Sequence, residues 1–182
     1  ACADEAAVAG LRQRFLAFAL EVNKDLDRCG FPLCKGNIMA SNPQWCLTLD
    51  EWRTQFSKWI RTPEPVALLN ATIFFDFRPL YGKSELSDSM RRHLLSQASA
   101  TPIFLQAMAR NALDVGPPLG KIRDFVTDLE ADHPGKIDLK KYGSRIFVDV
   151  ARIYALAAGV HGTNTIQRLR LSAQKMNIKG EE

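Results

Sequence analysis

The residues best suited to chemistry are Asp76 and Arg78, which flank Phe77 in the run Ala71-Thr72-Ile73-Phe74-Phe75-Asp76-Phe77-Arg78. The run is aromatic and β-branched, and Pro79 and Gly82 close it, so it is expected to be a strand. Alternation then puts Ile73, Phe75 and Phe77 on one face and Phe74, Asp76 and Arg78 on the other. A carboxylate in such surroundings needs a partner, because burying it unpaired costs several kcal/mol. Two readings follow. Asp76 and Arg78 neutralise each other at a sheet edge, or Asp76 supplies one hard oxygen ligand to Mg²⁺ while Arg78 faces substrate phosphates. One Asp does not hold Mg²⁺ alone, so the second reading requires further acids.

A second candidate is the loop Cys34-Lys35-Gly36-Asn37-Ile38-Met39-Ala40-Ser41-Asn42-Pro43. Gly36 permits close backbone approach, and Lys35, Ser41 and Asn42 offer contacts to an anion or a base. The loop has neither the spaced glycines nor the Gly-Lys-Ser ending of a phosphate loop, so an ordinary connection is the plainer reading. Lys140, Lys141 and Arg145, with Arg152 beyond them, form a basic cluster that is either solvated surface or the wall of a triphosphate cleft. Cys29, Cys34 and Cys46 include no CxxC pair, and His93, His133 and His161 lie outside any zinc-ligand spacing. No GxSxG, HExxH or Cys-His signature supports a hydrolase.

Helices must position these groups. Val8, Leu11, Phe15, Phe18, Val22 and Leu26 predict a helix from Glu5 to Arg28, stopped by Gly30. Loop follows from Phe31 to Gln44, with a short strand near Asn37–Ala40 as an option. Thr48 and Glu51 form a capping box that opens a second helix through Trp52, Phe56, Trp59 and Ile60, halted by Pro63 and Pro65. Trp45, Trp52 and Trp59 recur every seven residues and would share a face if Trp45 joined that helix, a packing stripe more than a stacking site. Further helices are expected from Ser84 to about Gln97, from Thr101-Pro102 through Leu113, from Leu119 to Leu129, from Ser144 to Ala158, and from Thr163 or Asn164 to about Met176. Ala131–Lys136 reads as a polar turn, and Ile137-Asp138-Leu139 as a short extended piece.

The fold class expected is mostly α with a small α/β part: residues 1–82 mix helix and strand, and 83–182 form an all-helical bundle. The chain has 182 residues, 46% hydrophobic and 24% charged, the composition of a globular protein rather than a disordered one. No apolar run reaches the roughly 20 residues of a membrane span. A net charge of +4 gives little support to nucleic-acid binding. The start at Ala1-Cys2-Ala3, without methionine or signal peptide, reads as a cut from a longer protein, and the few cysteines suit a cytoplasmic location.

Three stretches resemble the nucleotidyltransferase family that often follows cyclic-nucleotide-binding and CBS domains in bacterial signalling proteins. They are Cys29-Gly30-Phe31-Pro32 through Met39-Ala40-Ser41-Asn42-Pro43-Gln44-Trp45, then Ile73–Gly82, then Gly116-Pro117-Pro118-Leu119-Gly120 with Ile137-Asp138-Leu139-Lys140 and the helix behind it. That family is similar to the amino-terminal part of the PII-protein uridylyltransferases, a branch of the DNA-polymerase-beta-type superfamily. The resemblance implies an α/β catalytic domain followed by a helical substrate-binding domain, with Asp76 as the third metal-binding acid and Arg78 beside it. Lys35, Ser41, Asn42 and Lys140 would then contact nucleotide. It also implies Mg²⁺, a nucleoside triphosphate and a protein acceptor. The family's Asp-x-Asp pair is missing before Asp76, and Asp25-Leu26-Asp27 sits inside a helix. The expectation is therefore a carboxy-terminal portion, inactive by itself because in-line transfer needs those acids. The alternative is a non-catalytic regulatory or nucleotide-binding module.

Overall fold

The structure, a computed structural model, describes residues 5–114 and 136–178. These residues contain seven helices: α1 (Glu5–Arg28), α2 (Leu49–Arg61), α3 (Pro65–Phe74), α4 (Ser84–Ser99), α5 (Pro102–Leu113), α6 (Arg145–Ala158) and α7 (Thr165–Lys175). The mostly α class holds, and no strand occurs among the described residues. The expected helix Leu119–Leu129 and the turn before Lys136 lie outside them.

The expected strand at 71–78 is a correction: its first half is the end of α3. Glu64 is extended at φ −69 and ψ 162, and Pro65 follows at the first helical position, where its missing N–H costs nothing. The buried residues Ala67, Leu68, Ala71 and Phe75 then recur at helical spacing. Thr72 donates its hydroxyl to the Leu69 carbonyl at 2.7 Å, which satisfies it within the helix, and Ile73 turns outward. Burial of one stripe thus outweighs β propensity. The short strand near Asn37–Ala40 is likewise absent, replaced by turns with Asn37 at φ 54.

Packing groups the chain into two units, residues 1–52 and 53–182. In the first, α1 has the bounds that its periodicity predicts, and Gly30 follows at φ 91. The capping box is formed: the Thr48 amide donates to Glu51 Oε2 at 2.7 Å, and the Glu51 amide to Thr48 Oγ1 at 3.2 Å. Arg12 reaches the same Glu51 carboxylate at 2.8 Å. Trp45 stays outside the helix and stacks on Trp52 at 6.1 Å. The three tryptophans therefore do not form one helical face.

In the second unit α6 is the hub and packs against α4, α5 and α7, while α3 packs on α5. Phe56, Phe75 and Phe104 form an aromatic chain, with ring centroids 4.8 and 6.0 Å apart along it. Trp59 is buried and stacks on Phe56 and Phe74, as the packing reading expects. Lys83 caps α4, so Ser84, expected as the cap, is its first residue. Thr101 and Pro102 hold the expected N-cap and first positions of α5, although the Thr101 hydroxyl donates back to the Gln97 carbonyl at 2.8 Å instead of capping. A wide turn, Lys140–Ser144, leads into α6, which starts at Arg145 instead of the expected Ser144. Leu139, expected at the end of a short extended piece 137–139, is helical at φ −66 and ψ −21. Gly159 ends α6 at φ 62, a conformation that strains any residue bearing a Cβ. Asn164 caps α7 by accepting from the Gln167 amide at 2.8 Å.

Candidate functional site

Asp76 emerges just past the end of α3, and three helices of the second unit converge around it. From α6, Arg152 donates through Nη2 to Asp76 Oδ2 at 2.7 Å. From α7, the Arg168 Nη2 donates to Asp76 Oδ1. Both carboxylate oxygens are thus held by guanidinium groups whose side chains are 9% and 5% exposed. Arg152 turns its other terminal nitrogen to Asp149 Oδ1 at 2.6 Å, and Asp149 Oδ2 lies 3.5 Å from Arg145 Nε. Arg168 uses its Nε to bind the Gly162 carbonyl at 3.0 Å. Gly162 allows this approach, since a Cβ there would stand 3.1 Å from the Arg168 side chain.

Arg91 on α4 closes the site. It donates to the Phe75 carbonyl at 2.7 Å and to that of Phe77, and lies 4.0 Å over the Phe77 ring. The backbone on both sides of Asp76 is therefore pinned as well as its carboxylate. Donors exceed acceptors: Nε of Arg91 and of Arg152, and the Ser172 hydroxyl, are buried with no hydrogen-bond partner among the described residues.

Burial pushes the Asp76 carboxyl up, but the hydrogen bonds and charges of Arg152 and Arg168 outweigh it and hold it below the ordinary carboxylate value. Burial first, and then the Arg168 charge, lower Arg91 against the opposing pull of Asp76. Asp76 is accordingly a fixed anion near neutral pH and is poorly suited to carrying protons. The donor set also does not fit the Mg²⁺ that the resemblance implies. Among the described residues no three His, Cys, Asp or Glu side chains stand close enough to share a metal, and Arg152 lies between Asp76 and its nearest bonded acid, Asp149.

The other sequence candidates are scattered. Arg78 is exposed and does not pair with Asp76, so the mutual neutralisation expected at a sheet edge is replaced by Arg152 and Arg168. Lys140 is exposed at the start of the wide turn, where its amide binds Asp138 Oδ1 at 2.8 Å. The basic cluster does not act as one group: Lys141 lies 4.9 Å over the Tyr142 ring, and Arg152 points inward. Lys35, Ser41 and Asn42 share one loop of the first unit. Asn42 organises that loop, donating to the Asn37 carbonyl and accepting from the Gln44 amide, both at 2.9 Å. The sequence reading missed Arg168, Asp149 and Arg91. Asp149 and Arg152, three apart and flanked by apolar residues on α6, were the available signal.

No helix of the described residues is long and apolar enough to cross a membrane. No curated protein and no solved structure matches the chain. Residues 3–66 match the family described as "Putative nucleotidyltransferase DUF294", and residues 102–182 match "Putative nucleotidyltransferase substrate binding domain". Asp76 lies between the two matched stretches, and its partners Arg152 and Arg168 lie within the second. Over these two stretches the chain is similar to nucleotidyltransferase domains.

Proposed function

We propose that this chain is the carboxy-terminal portion of a signalling nucleotidyltransferase, and that its helical second unit holds the acceptor substrate. The reaction is transfer of a nucleoside monophosphate from a nucleoside triphosphate to a protein acceptor. In this reading Mg²⁺ is bound by acids outside the described residues, cyclic-nucleotide-binding or CBS domains regulate the enzyme, and the chain alone is inactive. Asp76, Arg152 and Arg168 are positioning residues that fix the segment after α3 on the helices of the second unit. Arg78, Lys35, Ser41, Asn42 and Lys140 remain the candidate nucleotide contacts.

One observation carries the reading. The stretch matched as substrate-binding supplies the two arginines that saturate Asp76, so this part is built as a rigid holder rather than as a metal centre. The test compares the full-length gene product with the chain alone, each given radiolabelled UTP or ATP, Mg²⁺ and candidate acceptor proteins. Label on an acceptor with the long protein and none with the chain alone is the expected result. Transfer by the chain alone would overturn the assignment. Nucleotide binding by both without any transfer would favour the regulatory module instead.

A further inference from the structure

One face of α2 carries Arg53, Ser57 and Arg61 at four-residue steps, with Thr54 and Lys58 beside them. Across from it, α4 contributes His93. These six residues line a cleft of about 360 Å³ within the second unit. No carboxylate and no large apolar side chain is among them, and Arg53, Lys58 and Arg61 bring three cations to its lining. One wall is already ordered: the Ser57 hydroxyl and His93 Nε2 are 2.9 Å apart, and Arg53 donates to Ser89 Oγ at 2.6 Å. Lys58 and Arg61, exposed in the last turn of α2, have no ion pair among the described residues.

We propose that this cleft is a polyphosphate-binding site, shaped for pyrophosphate or for the phosphate chain of a nucleotide. The chemistry favours that class. Guanidinium and ammonium groups together with a hydroxyl and an imidazole match the acceptor-only oxygens of linked phosphates, and the volume exceeds what a single phosphate fills. The Ser57–His93 pair fixes two polar groups beforehand, which lowers the ordering cost of binding. The inference rests on the cleft alone, without the nucleotidyl-transfer reading, so each can fail while the other stands.

The test is calorimetric titration of the 182-residue chain at about 0.15 M salt with pyrophosphate, ATP and adenosine, all without metal. Pyrophosphate and ATP should bind and adenosine should not. Equal affinity for the first two marks a site for the phosphates alone, and tighter ATP binding marks one that also holds the nucleoside. The double variant Lys58→Glu/Arg61→Glu should weaken binding by at least about tenfold. A charge-matched control, Arg14→Glu/Lys175→Glu, should change it less than about twofold. Lys58→Arg/Arg61→Lys, which preserves charge, should restore most of the affinity, and circular dichroism should show all variants equally helical. Absence of binding by both phosphates, or equal losses in the cleft and control variants, would overturn the proposal.

Discussion

All buried side chains of the described residues belong to 53–182, where Ile60, Phe75, Leu94 and Phe104 are fully enclosed. Among the described residues of the first unit none is buried, and on the apolar stripe of α1 Phe15 is 60% and Phe18 67% exposed. Both regions show helical periodicity of comparable clarity in sequence, and both form helices with sound local chemistry at their ends. The difference teaches that periodicity identifies which face of a helix is apolar, whereas enclosure depends on what the rest of the fold brings to that face.

Truncating an aromatic ring on each side is the strongest way to break this contrast. Phe75→Ala should cost about 3–5 kcal/mol, because a fully buried ring contacting Phe56, Trp59 and Phe104 leaves a cavity. Phe15→Ala in α1 should cost about 0.5 kcal/mol or less. Urea denaturation followed by tryptophan fluorescence checks both, and equal losses would erase the distinction between the units.

The charged cluster sharpens the contrast next. Asp76→Asn leaves Arg152 and Arg168 facing a neutral amide and should cost about 2–3 kcal/mol at neutral pH, reduced from a fully buried pair because Asp76 is 30% exposed. The folded carboxyl sits below its unfolded value of about 4, so its stabilisation is present above that pH and lost as pH falls through the folded value. The gap between wild type and Asp76→Asn should hence stay constant through neutral pH and close in acid. A gap that widened on acidification would contradict the ion-pair assignment.

Caps should show the smallest effect and the least contrast. Thr48→Ala in the first unit and Asn164→Ala in the second each remove one backbone partner at a helix start and should each cost about 1 kcal/mol. Thermal melts by circular dichroism read both. A much larger loss at either site would mean that its cap does more than begin a helix.

Much of the local structure was legible in sequence for physical reasons. Glu5–Arg28, the Thr48–Glu51 box, the Gly159 stop and the Asn164 cap depend on neighbours within about one helical turn. The segment after Pro65 is not legible in sequence, because its aromatic and β-branched residues favour strands and Pro65, which can stop a helix, here begins α3. At the candidate site Asp76 was recognisable as a carboxylate in need of a partner. Its partners were not, because Arg152 and Arg168 lie 76 and 92 residues further along, and no pattern of spacing reports such contacts.

Those separations bear on how the second unit assembles. Arg152 and Arg168 sit on consecutive helices, and the stop at Gly159 and the cap at Asn164 let that hairpin form from contacts close in sequence. Once it exists, the two guanidinium groups are neighbours before Asp76 arrives. The entropy of closing a long loop is then paid once, and the second ion pair adds almost none, since loop cost grows only with the logarithm of length. This order of assembly predicts that loss of Asp76 accelerates unfolding more than it slows folding, which stopped-flow kinetics of Asp76→Asn would check.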